Sequence, residues 1–253
     1  MSGKHAHGLL DDVPVASPVQ RLDARVKVVC LVGFVFAVVA TPPQEVAAFL
    51  AFAGLVAMTA AAAQLPIRVL LRRLTIEVPF VVFALALPFV GTGPRTDVAG
   101  LSLSIAGSWA AWSILAKATL GVAATVVLSW STSVADILTG LDRLHVPRTI
   151  VMIAGFMVRY LNVLGGELRR LQLARISRGD DPRWFWQGKA VAATAGSLFV
   201  RSYERGERVQ HAMLARGFTG HFPTTAARPP GRWFPALLWP AAAWLITIGA
   251  RWA

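Results

Sequence analysis

The sequence predicts an all-α, polytopic membrane protein with about five transmembrane helices and a helical cytoplasmic region. Three observations predict it. Of the 253 residues 55% are hydrophobic and only 15% charged, too oily a balance for a soluble domain of this size. The apolar residues are gathered into runs of helical length. The net charge of +12 sits in the segments between those runs, which is the pattern of loops held in the cytoplasm and not that of a nucleic-acid-binding surface.

Residues 1–25 form a polar tail containing Pro14 and Pro18, and His5 and His7 within it read as solvated rather than as metal ligands. Val38-Val39-Ala40 loosely resembles a signal-peptide cleavage site. Arg21, Arg25 and Lys27 ahead of the first apolar run, with further spans behind it, favour a retained first helix instead. That helix covers 26–40 and stops at Thr41-Pro42-Pro43. Cys30 within it is the single cysteine, which excludes a disulfide framework and reads as a packing residue. A second apolar helix, 46–63, closes a hairpin. After a link carrying Arg68, Arg72 and Arg73, residues 78–90 give a third span with Pro79 and Pro88 near its ends, tolerable where neighbours cover the freed backbone. Residues 91–108 carry almost no positive charge and read as an outside loop, with the alternating Leu101-Ser102-Leu103-Ser104-Ile105 at the interface. Residues 109–130 are the fourth span, its Trp109, Trp112 and Trp130 placed as an aromatic belt. Lys117 within it is a functional candidate by position. Snorkelling, or a groove facing a partner subunit, is the better reading, because the span holds no acid to pair with it.

Residues 150–166 look like a further span. Crossing there would put Arg169 to Arg216 outside and the loops of Arg21, Arg68 and Arg72 inside. Between residues 131 and 235 fifteen Lys and Arg stand against seven Asp and Glu, so the positive-inside rule rejects the crossing. Arg159, Tyr160 and Asn162 also interrupt the run, leaving only about ten purely apolar residues. Residues 133–144, 147–179 and 188–217 are therefore expected as three cytoplasmic or membrane-surface helices, with Pro147 in a first turn. In the third, Phe199, Tyr203, Gly206, Val209 and Met213 form an apolar stripe expected to pack, while Arg201, Glu204, Arg205, Glu207 and Arg208 can form ion pairs along the helix. Asp180-Asp181-Pro182 ends the preceding helix, and Trp184 to Trp186 is an aromatic cluster suited to the interface. A linker with Pro223, Arg228, Pro229, Pro230 and Gly231 leads to a last span, 233–248, leaving Arg251 outside. The division is thus a 1–25 cytoplasmic tail, a 26–130 four-span region, a 131–222 cytoplasmic helical region, and a 223–253 linker and final helix. Five crossings place the N-terminus in the cytoplasm and the C-terminus outside.

The pattern A-x-x-x-R-G occurs twice: Ala174-Arg175-Ile176-Ser177-Arg178-Gly179 and Ala212-Met213-Leu214-Ala215-Arg216-Gly217. Each copy ends a long stretch of helical period. Gly suits the left-handed cap that stops a helix, and a cation in the last turn meets the negative end of the helix dipole. That accounts for one such ending without any function. Two matched endings fit two helix tips that offer an arginine each to a partner with two equivalent acceptors.

No G-x-x-x-x-G-K-[ST] phosphate loop occurs; Gly188-Lys189-Ala190 lacks both the hydroxyl and the upstream glycine. H-E-x-x-H, a Cys/His cluster and acidic groups at helical spacing on a membrane face are also missing, so neither a metal nor another cofactor is expected. His145, His211 and His221, each near a helix end, read as capping or solvated. A polytopic enzyme acting on lipid headgroups lacks its acidic set. A stand-alone channel or carrier should face polar residues across its spans, where Lys117 alone qualifies.

Leu22-Asp23-Ala24-Arg25-Val26-Lys27, Ser131-Thr132, Asp136-Ile137-Leu138 through Leu144-His145-Val146-Pro147, Phe156 to Tyr160, and Leu198 to Phe218 with its Arg-Gly ending together resemble the transmembrane T component of energy-coupling factor transporters. The similarity is to the CbiQ type found in cobalt importers, and runs from about residue 20 to 220. The resemblance implies a non-catalytic subunit of an inner-membrane importer, in the lipid bilayer, that joins a pair of ATP-binding-cassette ATPases to a substrate-binding membrane S component, with or without a small accessory subunit. It also implies that the two long cytoplasmic helices, which here accompany the short helix at 133–144, cross and insert their tips into the ATPases. Carried onto this chain, the tips are Ala215-Arg216-Gly217 and Arg178-Gly179, with Ala174-Arg175 as a competing alignment in the first copy. Cobalt is the implied cargo; nickel and vitamin importers share this subunit type.

Overall fold

The computed structural model describes residue 17 and residues 19–91, 94–98, 101–179, 188–220 and 234–252. His5, His7, Asp180-Asp181-Pro182, Trp184 to Trp186, His221 and the 223–233 linker lie outside them. The chain divides into two units, one of residues 12–140 and 227–253 and one of residues 1–11 and 141–226.

The first unit contains α1 (Ala24–Ala40), α2 (Val46–Ala62), α3 (Ile67–Leu74), a 3-10 turn (Thr75–Glu77), α4 (Val78–Val90), β1 (Arg95–Val98), β2 (Leu101–Ser104), α5 (Ile105–Ser131), most of α6 (Val134–Arg143), and α9 (Phe234–Trp252). The second holds α7 (Arg148–Ile176) and α8 (Gly188–Ala215). Helix dominates as expected. The 91–108 segment departs from the expected loop: β1 and β2 pair antiparallel, from Arg95 with Ser104 to Val98 with Leu101. Ser104 then caps α5, its Oγ accepting from the Gly107 amide at 3.2 Å, so α5 begins four residues before Trp109. The alternating residues at 101–104 are a strand, because period two is a strand's period. The Arg68 to Arg73 link is helical and runs through the 3-10 turn into α4, so that 67–90 is one stretch long and apolar enough to cross a membrane.

Four antiparallel or parallel pairings order the first unit. Lys27 bonds to Ser131 and Lys117 to Val39, so α1 and α5 run antiparallel. Phe49 meets Trp112 while Ala60 packs with Val127, so α2 and α5 run parallel. Thr119 Oγ1 donates to Glu77 Oε2 at 2.9 Å, and Gly107 lies under Leu87, so α4 is antiparallel to α5. A β-carbon on Gly107 would stand 2.5 Å from the Leu87 carbonyl oxygen, which shows why only glycine fits there. Gly33 approaches Pro240 and Ala37 accepts from Thr247 Oγ1 at 3.3 Å, so α9 is parallel to α1. Consequently α9 begins at the end of the bundle where α5 stops. Phe34, Phe52, Phe49, Leu120 and Ala243 form the core, with the Phe34 and Phe52 rings edge to face at 5.7 Å.

Two charges sit among the helices of this unit. Lys117 Nζ donates to the Val39 carbonyl at 2.9 Å, at the C-terminal end of α1. Glu77 is buried with 5% exposure, and its Oε1 has no hydrogen-bond partner among the described residues. Lys117 is therefore not the only charge set among the spans.

Among the described residues, 67–90, 105–131 and 148–176 are long and apolar enough to cross a membrane, and Val46–Ala62 and Trp239–Ala250 are shorter apolar helices. α7 thus has a span's length and apolarity, which removes the argument that its apolar run is too weak to cross. Its placement turns on charge and on helix direction.

Candidate functional site

Both arginine–glycine endings are helix caps. At the end of α8 the Gly217 amide donates to the Leu214 carbonyl at 3.0 Å and the Phe218 amide to the Met213 carbonyl at 3.0 Å, with Gly217 at φ +75. That is a Schellman motif, closed by the half-buried pair Met213 and Phe218, which line one cavity. At the end of α7 the Gly179 amide donates to the Ile176 carbonyl at 3.0 Å, with Gly179 at φ +83. Ser177 Oγ donates back to the Ala174 carbonyl at 3.1 Å.

The two caps share the i→i−3 bonds of the glycine and of the arginine before it, in the same sequence register. Arg178 and Arg216 each immediately precede a left-handed glycine, and Ser177 stands where Ala215 stands. Arg175 corresponds to Met213, lies inside the last turn of α7 and is half-buried, whereas Arg178 and Arg216 are exposed and carry no ion pair among the described residues. The backbone thus matches Arg178, not Arg175, with Arg216. Ala174, Ala215, Gly179 and Gly217 are exposed as well.

α7 and α8 are antiparallel. Met152, Phe156 and Tyr160 of α7 face Val209 and Met213 of α8, and Phe218 just beyond it, around a cavity of about 460 Å³. Nearer the middle of α7, Glu167 accepts from Arg205 at 3.0 Å and from Arg201 at 3.4 Å. Since each tip is a C-terminus, the antiparallel pairing sends the tips to opposite ends of the pair, on the order of 35 Å apart at 1.5 Å per residue. The structure does not bring the two arginines together; it separates them.

Ion pairs along α8 were expected to be possible. Among the described residues Arg208 and Glu204 pair that way, at 3.8 Å, while Arg201 and Arg205 reach across to α7. The apolar stripe likewise packs only in part: Val209 and Met213 line the cavity, while Phe199 and Tyr203 are 68% and 62% exposed. A helix with charges on most of its circumference leaves the choice of packed face to its neighbour, and one carboxylate on α7 made that choice.

A second cluster of the sequence-singled residues meets at the end of α1. Lys27 Nζ donates to the Ser131 carbonyl at 2.8 Å and to Thr132 Oγ1 at 3.1 Å. Asp23 caps α1 by accepting from the Arg25 amide at 3.0 Å, and holds the Arg25 guanidinium with its other oxygen. Gly140 of α6 lies against Ala24 and Arg25, where a β-carbon would sit 3.0 Å from the Arg25 nitrogen. α6 starts on its Ser133 cap and ends with His145 in the left-handed region, φ 61, so His145 does cap a helix. Pro147 occupies the N-cap of α7 rather than its first turn. Among the described residues no three of His, Cys, Asp and Glu converge as metal ligands would.

Residues 16–225, which contain both caps and the whole Lys27 junction, match a family model described as cobalt transport protein, CbiQ. The chain belongs to the CbiQ family. Its members are membrane components of energy-coupling transporters. The cobalt transport protein CbiQ of Rhodobacter capsulatus is 26% identical over 204 residues, 79% of this chain and 81% of that one. The energy-coupling factor transporter transmembrane protein EcfT of Heliobacterium modesticaldum is 27% identical over 234 residues, 86% of each chain. The nickel permease LarQ of Lactiplantibacillus plantarum is 30% identical over 118 residues, 45% of this chain and 41% of its own. This CbiQ-family chain is accordingly a membrane protein of a transport system.

Proposed function

We propose that this chain is the coupling subunit of a cobalt importer, carrying ATP-driven motion from a pair of ATP-binding-cassette ATPases to a separate substrate-binding membrane subunit. The observation that carries the reading is the pair of matched caps at opposite ends of the antiparallel α7–α8 pair. Each offers an exposed arginine, without an ion pair among the described residues, beside a glycine that lets a partner's backbone come close. A guanidinium can form several hydrogen bonds with acidic side chains or carbonyls in a groove. Two equivalent tips set far apart suit two equivalent subunits.

Helix direction supports keeping α7 and α8 on the cytoplasmic side. Because α9 starts at the end where α5 stops, the chain between them crosses the membrane an even number of times. A crossing by α7 would therefore need a second by α8, which would carry Arg201, Glu204, Arg205, Glu207 and Arg208 into the bilayer at a cost of several kcal/mol per unpaired charge, ~2.5–3.5 at the helix centre. With the positive-inside rule, it supports a reading in which α1 starts in the cytoplasm and α9 ends outside the inner membrane.

The test is co-expression with the ATPase pair and the membrane partner. The wild type should co-purify with the ATPases and support cobalt uptake, and replacing Arg178 and Arg216 together by Ala should abolish both. An intact complex in that double variant overturns the assignment. Nickel uptake in place of cobalt keeps the coupling role and moves the cargo to that of the LarQ-like relative.

A further inference from the structure

Between α3 and α5 the first unit opens a groove of about 1090 Å³, slightly larger than the usual pocket for a drug-sized ligand. One wall carries Arg68, Arg72 and Arg73, all exposed and without an ion pair among the described residues. The floor is the face of α5 formed by Gly121, Thr125 and Ser129, four residues apart. The Thr125 hydroxyl donates to the Gly121 carbonyl at 2.8 Å, so that donor is already satisfied within the helix. α3 runs antiparallel to α5, which sets the arginines toward Ser129 and Ile76 toward Gly121. The groove is therefore cationic at one end and apolar along the rest.

Water alone would satisfy one guanidinium at a membrane boundary by snorkelling. Three that converge on one apolar-floored groove complement a molecule with an anionic head and a hydrocarbon body. We propose that the α3–α5 groove binds one anionic phospholipid, its phosphate held by Arg68, Arg72 and Arg73 and an acyl chain laid over Gly121 toward the bilayer centre. Guanidinium forks match phosphate oxygens, and basic pockets between membrane helices take lipid headgroups.

The experiment is native mass spectrometry of the full chain in mild detergent, titrated with dioleoyl phosphatidylglycerol or dioleoyl phosphatidylcholine. The wild type should retain one phosphatidylglycerol at a lipid concentration at least tenfold lower than it needs for phosphatidylcholine. The combined Arg68→Gln, Arg72→Gln and Arg73→Gln variant should lose that preference. Gly121→Leu, whose β-carbon has nothing within 4 Å, should weaken phosphatidylglycerol retention at least tenfold while leaving thermal unfolding unchanged. Equal retention of the two lipids by the wild type overturns the proposal, as does a preference that survives the triple variant. So does displacement of the lipid by free glycerol phosphate at equal concentration, which would make this a bare phosphate site. If Gly121→Leu keeps its lipid but sheds the membrane partner from the purified complex, the groove belongs to a protein helix and the proposal fails.

Discussion

Lys27 Nζ donates at 2.8 Å to the carbonyl of Ser131, joining the start of α1 to the end of α5 across 104 residues of chain. Lys27 is 8% exposed, and the groups it reaches include the last carbonyl of α5, the hydroxyl that follows it and the Gln20 carbonyl at 3.5 Å. A lysine here both neutralises the negative end of the α5 dipole and satisfies carbonyls that the helix leaves open. The bond lies where the chain leaves α5 for α6.

Replacing Lys27 by Met should cost about 1–3 kcal/mol, the cost of leaving buried acceptors unsatisfied. Cys30, one turn on and 8% exposed, is the chain's single cysteine and a built-in reporter. Maleimide should modify it slowly in the wild type and clearly faster in Lys27→Met. Equal rates, with an unchanged unfolding temperature, would reduce the Lys27 bond to a surface contact.

Gly107→Ala should destabilise the α4–α5 pair by about 1–3 kcal/mol, because its new methyl would meet the Leu87 backbone. Gly121→Ala in the same helix meets nothing within 4 Å and is the matched control. Thermal unfolding in detergent separates the two. A Gly107→Ala protein as stable as the control would mean that α4 can slide off α5 without loss.

Membrane sidedness can be read with cysteines in a Cys30→Ala background. A cysteine at Ser202 on α8 should react with an impermeant maleimide only from the cytoplasmic face, and one at Thr96 on β1 only from outside. Labelling of position 202 from outside would reinstate a crossing by α7.

The tips distinguish a cap from a contact. If Arg216 only meets a helix dipole, Arg216→Ala loses about 0.3–1 kcal/mol and the complex survives. If it fills an ATPase groove, its acceptor is left unpaired and association weakens by about 2–5 kcal/mol. Arg178→Ala should match Arg216→Ala, Arg175→Ala should do less, and the double variant more than either single. Co-purification of the ATPases with metal uptake measures all four. A severe loss from Arg175→Ala alone would transfer the first contact to that residue.

Glu167→Gln should loosen α7 from α8 by about 1–2 kcal/mol, less than a fully buried pair because Arg201 and Arg205 are 56% and 36% exposed. Uptake should fall while each tip still binds its ATPase peptide groove, since the tips themselves are intact. Unchanged uptake would show that the tips act independently.

Local signals were legible and distant ones were not. Arg-Gly after a helical run forecast both caps, because a left-handed glycine is specified within six residues. Leu22 to Lys27 and Ser131-Thr132 were singled out as separate stretches. That Lys27 closes on Ser131 could not be read, since the partner lies outside any window of helical period. Glu167 was passed over for the same reason: its two arginines belong to another helix, and nothing in its own helix points to them. Lys117 was placed correctly inside a span. Its acceptor, a backbone carbonyl of α1, has no side-chain signature at all.

The 3-10 turn at Thr75–Glu77 sets a phase. Each of its residues advances the helix by about 120° instead of 100°, so three of them rotate everything that follows by roughly 60°. Arg73 and Glu77 are four apart and in an unbroken α-helix would lie about 40° apart in azimuth, close enough to pair. The added rotation carries them to roughly 100° apart. The acid turns to Thr119 and the arginine is left facing the groove. One tight turn thus keeps two opposite charges from cancelling, and a substitution that relaxed it to regular α-helix would silence both at once.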